Sequence, residues 1–159
     1  MDSPISLPSQ ISLSELLFDL ADCLSQNEEA NISWDSIRQR IIDNLNTILF
    51  EGEFRYYSAL FILAGYRNGR QLLIDDNDLR YEITEKGLNA VIPEGEDKGK
   101  SALFCLASYP EGRQLLVDDK GLRDKITDVG LNAVLAEGED KGESALLGLA
   151  GNPEGRQLL

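Results

Sequence analysis

Apolar residues recur along this chain with the period of an α-helix and do not alternate as they would in a strand. Near the amino terminus, five leucines fall on one helical face: Leu13, Leu16, Leu17, Leu20 and Leu24. We therefore predict an amphipathic helix within residues 12–27. Since this stretch has no counterpart later in the chain, we interpret residues 1–33 as an amino-terminal tail and capping helix.

The later apolar pattern returns every 43 residues. Residues 58–73, 101–116 and 144–159 read SALFILAGYRNGRQLL, SALFCLASYPEGRQLL and SALLGLAGNPEGRQLL. Residues 58–100 and 101–143 are identical at 29 of 43 positions without a gap, which indicates that the units arose by duplication. The register extends back to residues 44–58, NLNTILFEGEFRYYS, where the first unit has diverged.

Proline and acidic residues mark the helix boundaries within a unit. The tripeptides Tyr109-Pro110-Glu111 and Asn152-Pro153-Glu154 predict helix starts, because proline fits the first turn and the acid lies at the positive end of the helix dipole. The short helix that carries PEGRQLL is expected to end near residues 118–121, where DDKG interrupts the pattern.

A longer helix is predicted next, because LRDKITDVGLNAVLAEG places four apolar residues on one side: Leu122, Ile126, Ala133 and Val134. We expect this helix to continue through Gly130. The matching stretch of the first unit, WDSIRQRIIDNLNTILFEG, has Asn44 at that position and is an unbroken amphipathic pattern. The glycine would then allow close packing. A third helix is predicted from about Asp97 to Ser108.

A short helix followed by two longer ones is the order of an armadillo unit, and the period of 43 residues lies within the ~40–47 of HEAT and armadillo repeats. Residues 44–159 resemble this α-solenoid family. The resemblance implies an all-α fold, a right-handed α-solenoid of 43-residue, three-helix armadillo/HEAT-like repeats with an amino-terminal helical cap. Residues 34–159 would form one continuous domain, with units at approximately 34–76, 77–119 and 120–159.

The family resemblance also implies a binding face. In armadillo proteins the third helices line a concave groove, where a tryptophan and an asparagine often hold an extended peptide. Here Ser58, Ser101 and Ser144 take the tryptophan position, and Ile62, Cys105 and Gly148 take the asparagine position. Because both peptide-holding residues are absent, recognition of basic peptides in the manner of nuclear import is not expected. The resemblance still implies a binding scaffold. The near-identical tandem units are also similar in style to effector proteins of intracellular bacteria.

Composition narrows the class of partner. A formal net charge of −13 with no histidine repels phosphate backbones and anionic lipid headgroups, so neither nucleic acid nor membrane is an expected partner. Cys23 and Cys105 show neither zinc-site nor disulfide-scaffold spacing, which favours reduced thiols. The sequence has no secretory signal pattern and no apolar run of about 18–20 residues. We expect a cytoplasmic protein, of the producing cell or, for a secreted effector, of a host cell.

Two segments resemble ligand-binding loops but depart from their patterns. GEDKGKS, residues 95–101, is one residue shorter than a phosphate-binding P-loop and is surrounded by carboxylates. The run Asp75-Asp76-Asn77-Asp78 opens like an EF-hand loop but lacks the glycine and the bidentate glutamate that calcium binding requires. We predict a solvated turn in the first case and an acidic turn that ends a helix in the second. No cofactor or metal is expected.

Catalysis is not expected either. No histidine is present to activate Cys105, whose equivalents in the other units are Ile62 and Gly148. The carboxylates recur with the repeat, whereas an active site requires one asymmetric arrangement. An enzyme built on helical repeats is one alternative, and its candidate residues lie in the diverged amino-terminal segment: Glu28, Glu29, Trp34 and Asp35.

The predicted function is a non-catalytic protein–protein interaction scaffold that binds a partner protein or peptide, including a basic one, on the repeat surface. Four-residue spacing along each third helix gives the expected partner-binding ladder: Phe54, Ser58, Ile62, Tyr66, Asp97, Ser101, Cys105, Tyr109, Asp140, Ser144, Gly148 and Asn152. The two tyrosines supply the amphipathic anchors typical of interfaces. The alternative is a self-associating or spacer segment of a larger protein, with contacts through the open carboxyl-terminal repeat.

Overall fold

The computed structural model describes residues 10–25, 33–135 and 141–159. In these ranges the regular structure is helical, apart from one isolated bridge between Val134 and Ser144. The helices are α1 (Gln10–Leu24), α2 (Trp34–Asp43), α3 (Ala59–Gly65), α4 (Arg67–Asp75), α5 (Asn77–Tyr81), α6 (Glu85–Asn89), α7 (Ala102–Ala107), α8 (Pro110–Asp118), α9 (Lys120–Arg123), α10 (Asp128–Asn132), α11 (Ala145–Ala150) and α12 (Pro153–Arg156). None of these helices is long and apolar enough to cross a membrane.

Helix α1 confirms the predicted amino-terminal helix. Its five leucines are all buried in the core: Leu13, Leu16, Leu17, Leu20 and Leu24. Each such burial contributes about 1.5–3 kcal/mol relative to exposure in water. The helix packs against α2, α3 and α4, and the side chain of Asn68 on α4 donates a hydrogen bond to the Leu24 carbonyl at 3.1 Å.

The three copies of the SAL sequence form α3, α7 and α11, each of which begins directly after a serine. The hydroxyls of Ser58, Ser101 and Ser144 accept a hydrogen bond from the backbone N–H three residues later, as N-cap residues do. Helix α3 packs against α7, and α7 packs against α11. The leucines and alanines of α3 and α7, together with Ala145 and Leu149 of α11, belong to the hydrophobic core.

The predicted helix starts at proline are confirmed in α8 and α12, where Pro110 and Pro153 occupy the first turn. The glycine of the GRQLL sequence is required by close packing between consecutive helices. A Cβ atom on Gly69, Gly112 or Gly155 would overlap the backbone of the preceding helix, at Leu63, Leu106 or Leu149. The helix pairs α3–α4, α7–α8 and α11–α12 therefore approach as closely as they do only with glycine at this position.

The predicted continuous second helix is wrong. It is interrupted in both complete copies, which form α5 and α6, then α9 and α10. Thr84 and Thr127 act as N-caps of the later helices, because their hydroxyls accept from the N–H groups of Gly87 and Gly130. In the first unit, α2 ends at Asp43 with Asn44 as its C-cap. Residues 58–100 thus contain four short helices and not three.

The glycines of α6 and α10 do lie in tight contacts, but with an asparagine side chain and not with the backbone of a packed helix. A Cβ atom on Gly87 would overlap the side chain of Asn46, and one on Gly130 would overlap that of Asn89. Each asparagine links two segments. Asn89 donates to the Lys125 carbonyl at 2.7 Å and accepts from the Thr127 N–H at 3.0 Å. Asn46 bonds in the same way to Glu82 and Thr84.

The predicted third helix is also shorter than expected, since α7 begins at Ala102 and not at Asp97. Residues 92–100 form a turn closed by two backbone hydrogen bonds, between the Ile92 N–H and the Lys100 carbonyl and between the Gly99 N–H and the Ile92 carbonyl, each 2.9 Å. The same pair of bonds closes the turn at residues 49–57, and the equivalent pair joins residue 135 to residues 142 and 143. Phe54 and Asp97 therefore lie in turns, and Asp140 lies outside the described residues.

Candidate functional site

A groove of about 700 Å³ runs across α3, α7 and α11 and the turns that precede them. Nine residues of the predicted ladder line it: Phe54, Ile62, Tyr66, Asp97, Cys105, Tyr109, Ser144, Gly148 and Asn152. The predicted four-residue spacing along single helices is wrong for its first members, since Phe54 and Asp97 project from the turns. Side chains of all three sequence copies thus meet in one depression.

Ser58 and Ser101 are outside this lining and have a structural role. Both are buried, and their hydroxyls cap α3 and α7. Ser144 caps α11 in the same way and also contributes to the groove wall. The requirement for an N-cap at the start of each helix explains why serine recurs at this position.

The end of the groove nearest the amino terminus is aromatic. The rings of Phe54 and Tyr57 lie 6.1 Å apart between centroids, and those of Tyr57 and Phe61 lie 5.0 Å apart. Both distances fall within the range of favourable aromatic pairs. Ala21 of α1 closes this end of the depression. The aromatic end therefore has a preformed apolar wall.

The middle of the groove is polar. Asp97 accepts a hydrogen bond from the Tyr57 hydroxyl and forms an ion pair with Lys100 at 3.1 Å. Burial raises the pKa of Tyr57, and the hydrogen bond to the neighbouring Asp97 carboxylate raises it further. Burial also raises the pKa of the Cys105 thiol to about 12. The thiol is therefore protonated at neutral pH and is a poor nucleophile.

The ring of Tyr109 packs against the side chain of Arg70. The Arg70 guanidinium lies 3.7 Å from the centroid of the tyrosine ring, which is a cation–π contact. Arg70 is 4% exposed, donates to the Glu111 carboxylate at 2.6 Å and donates to the Ala64 carbonyl at 2.9 Å. Burial alone would raise the pKa of Glu111, but hydrogen bonds from its own backbone N–H and from Arg70 lower it.

The same ion-pair arrangement recurs one copy later. Arg113 donates to the Glu154 carboxylate at 2.7 Å and to the Ala107 carbonyl at 3.0 Å. Asn152 replaces the tyrosine here, and its side-chain amide donates to the Gly148 carbonyl at 2.6 Å. The groove therefore changes from aromatic at one end to small and polar at the other.

Several lining residues were not predicted from the sequence: Tyr57, Phe61, Lys100, Phe104, Arg113, Glu143 and Leu147. Phe61, Phe104 and Leu147 occupy one repeat position, three residues after the capping serine. The helical spacing of three and four residues from that serine would have found them. Arg113 reaches the groove because α8 packs against α7, and the helical period of the sequence does not predict that packing.

The acidic run at residues 75–78 and the alternative catalytic candidates Trp34 and Asp35 lie apart from the groove lining. No group of three or more His, Cys, Asp or Glu side chains in these ranges is placed to hold a metal ion. The acidic run at residues 75–78 ends α4 as predicted, but Asp76 is the N-cap of α5 and the next two residues begin that helix, so the run is a helix junction and not a turn. Of the alternative enzyme's candidates, Trp34 packs on the core, Asp35 is exposed, and Glu28 and Glu29 lie outside the described residues.

Comparisons of the chain with protein-family models, with curated proteins and with solved structures find no match. The geometry of the groove is therefore the guide to function.

Proposed function

We propose that the chain is a non-catalytic scaffold that binds a partner polypeptide along the groove across α3, α7 and α11. The observation that carries this proposal is the pair of half-exposed tyrosines on the groove. Tyr66 is 38% exposed and Tyr109 is 41% exposed, and each directly precedes a helix that fixes its backbone. Tyrosine in such a setting offers a large apolar contact and a hydroxyl with little conformational freedom to lose.

The scaffold proposed is a right-handed α-solenoid that begins with α1 as its cap. Two kinds of link between successive sequence copies support it. Arg70 and Arg113 each form an ion pair with a glutamate of the following copy. Arg38 and Arg80 each form an ion pair with an aspartate about 40 residues later, at 2.7 Å and 3.0 Å respectively. Recurrent contacts with the next unit are what stacked repeats require, because a single unit cannot bury its own apolar face.

The charge of the whole chain, more than that of the groove, favours a partner with basic residues, because Lys100 and Arg113 balance Asp97 and Glu143 in the lining. Glu143 is exposed at the polar end, and Asp97 lies in the middle. The formal net charge of −13 adds a field that attracts a cationic segment and raises its rate of association. The partner proposed is thus a segment with lysine or arginine at the end nearest α11.

The test starts from a random-peptide phage library selected on the immobilised protein. Fluorescence anisotropy would then compare the affinity of the selected peptides for the parent and for a Tyr66→Ala, Tyr109→Ala double variant. Tyr81→Ala is the matched control, because Tyr81 is 82% exposed and is not part of the groove lining. We expect the double variant to lose at least tenfold in affinity and the control to lose none. Equal affinity of all three proteins for the peptides would contradict binding at the groove.

Self-association is the second candidate function, and exposed apolar side chains near the last copy favour it: Val129, Val134, Leu147 and Leu159. A contiguous patch of such residues can hold a second chain. Sedimentation velocity over a range of concentrations distinguishes the two candidates. Concentration-dependent assembly that Leu147→Ser abolishes would support self-association. A monomer at every concentration would exclude it.

A further inference from the structure

The turn at residues 49–57 differs from its two counterparts in a way that folding does not require. The same backbone hydrogen bonds join the ends of the three segments, yet the later two read PEGEDKGK and AEGEDKGE where the first reads FEGEFRYY. Four aromatic residues are therefore concentrated in this first turn: Phe50, Phe54, Tyr56 and Tyr57. We call residues 50–57 the aromatic turn.

Tyr56 shows that the difference has a conformational cost. Its φ is +71°, whereas the equivalent residues are Gly99 and Gly142, with φ of +91° and +90°. A side chain in this left-handed region is disfavoured, and glycine at the other two turns avoids the penalty. The presence of tyrosine at this position therefore indicates a role other than closing the turn.

The surrounding residues hold the Tyr56 ring in one orientation. The Arg55 guanidinium lies 4.6 Å from the ring centroid and donates to the Tyr56 hydroxyl at 2.6 Å. That hydroxyl donates to the Glu94 carboxylate at 2.9 Å, and Arg55 and Glu94 form an ion pair at 3.0 Å. An aromatic side chain ordered before binding loses little entropy on contact with a partner.

The aromatic turn borders an apolar cavity of about 200 Å³. Its walls include Phe50, Tyr56, Phe61, Val91 and Pro93. An enclosed space of about 150 Å³ accommodates a benzene ring, so this cavity has room for one bulky apolar side chain. Phe50 at the rim is 67% exposed, which leaves apolar surface around the opening. Phe61 also lines the groove, so the two depressions adjoin.

The other side of the aromatic turn is acidic. Four carboxylates line a depression shared with Arg55, Tyr56 and Tyr57: Glu53, Glu94, Glu96 and Asp97. Arg55 is the only basic residue among the described residues of that lining. Glu94 is paired with Arg55 and Asp97 with Lys100, so Glu53 and Glu96 supply the excess negative charge. Aromatic faces beside such carboxylates attract lysine and arginine side chains. Tyr56 thus borders both an apolar cavity and an acidic depression.

We propose that the aromatic turn is a second anchoring subsite, which binds a polypeptide segment carrying a bulky apolar residue next to a lysine or arginine. The apolar side chain fills the cavity beside Phe50. The basic side chain lies against Tyr56 and the carboxylates of the acidic depression. The inference rests on the proposed function only in that the partner is a polypeptide, and the subsite is separate from Tyr66 and Tyr109.

The test uses the chain's own equivalent residues as substitutions. Phe50→Ala and Tyr56→Gly introduce what the third unit carries at residues 136 and 142, so the double variant is expected to fold with an unchanged or higher urea midpoint. Peptides selected on the parent from the phage library are expected to be enriched in an apolar residue adjacent to lysine or arginine. Their affinity for the double variant is expected to fall at least tenfold by anisotropy.

Three results would overturn the inference: no selected peptide with that composition, equal affinity for parent and variant, or a loss that accompanies a lowered urea midpoint. The groove variant Tyr66→Ala, Tyr109→Ala separates the two proposals. Loss of binding in the groove variant alone would sustain the proposed function and reject the aromatic turn. Loss in the aromatic-turn variant alone would sustain the subsite and reject the groove.

Discussion

At the scale of single residues, the close helix pairs depend on positions where only one type of residue fits. Gly112 is the clearest case, because any Cβ atom would overlap the backbone of Leu106 on the neighbouring helix. Arg113, the next residue, is buried and satisfied by Glu154 and by a backbone carbonyl. The sequence GR therefore combines a close helix approach with a charged link. Comparing the copies within the sequence identifies these positions but not the residues that contact them in the folded chain.

Substituting Gly112 tests this interpretation. Gly112→Ala is expected to lower the free energy of unfolding by about 1–3 kcal/mol, the range for overpacking, because rigid backbone must move. Gly65→Ala is the matched control, since no atom lies within 4 Å of its added Cβ. Its stability is expected to stay unchanged or to rise by less than about 1 kcal/mol. Urea unfolding followed by circular dichroism measures both. Equal effects would contradict the packing argument.

At the scale of elements, the apolar period predicted that helices form but not where each one ends. Helix α1 was predictable because its leucines face one side over several turns. The predicted helix through residues 122–138 failed because Thr127 caps a new helix within the apolar pattern. The signal was present, since threonine followed by Glu85 or Asp128 is a helix-start pattern. Periodicity alone does not report such a restart.

The same reasoning predicts the effect of removing a cap. Thr84→Ala is expected to lower the free energy of unfolding by about 0.5–2 kcal/mol, because the Gly87 N–H loses its acceptor at 2.9 Å. Thr84→Ser retains a hydroxyl and is expected to cost only a small part of that. Chemical denaturation of the two variants in parallel makes the measurement. A serine variant as unstable as the alanine variant would show that the threonine methyl group, and not the cap, matters.

At the scale of the whole molecule, links between copies join the short helices to one another. The three copies of the SAL sequence were predictable as equivalent helices, and a groove along them was predicted only through the resemblance to armadillo repeats. Its aromatic end was not, because Phe54 and Tyr57 enter from a turn whose path depends on tertiary contacts. The ion pairs were also out of reach, since their partners lie about one repeat apart and no local pattern joins them.

These ion pairs predict how stability depends on pH. Hydrogen bonds from Arg38 lower the pKa of Asp76, and those from Arg113 lower the pKa of Glu154. Burial opposes the shift at Glu111 and Asp119, but backbone N–H groups, Arg70 and Arg80 keep the pKa of each below its ordinary value. The unfolded chain therefore binds more protons in acid than the folded chain does. The stabilisation is complete above the ordinary carboxyl pKa of about 4–4.5 and is lost as the pH falls through the lower folded values.

Glu111→Gln isolates one of these pairs. At neutral pH we expect its free energy of unfolding to be lower than that of the parent by about 1.5–3 kcal/mol, the range for a hydrogen bond to a charged group. This difference in the free energy of unfolding is expected to shrink in acid, because Glu111 of the parent is then protonated and resembles glutamine. Relief of self-repulsion among the excess carboxylates affects parent and variant alike, so the difference between them is the informative quantity.

Glu82→Gln is the control for that experiment, because it removes one exposed carboxylate for which the described residues supply no ion-pair partner. Its difference from the parent is expected to be small and nearly independent of pH. Urea titrations of the three proteins from pH 7 to pH 3 make the comparison. A Glu111→Gln gap that stays constant over this range would mean that the carboxylate acts through packing and not through its charge. In that case Arg70 would hold Tyr109 without help from an ionised partner, and acid would leave the groove intact.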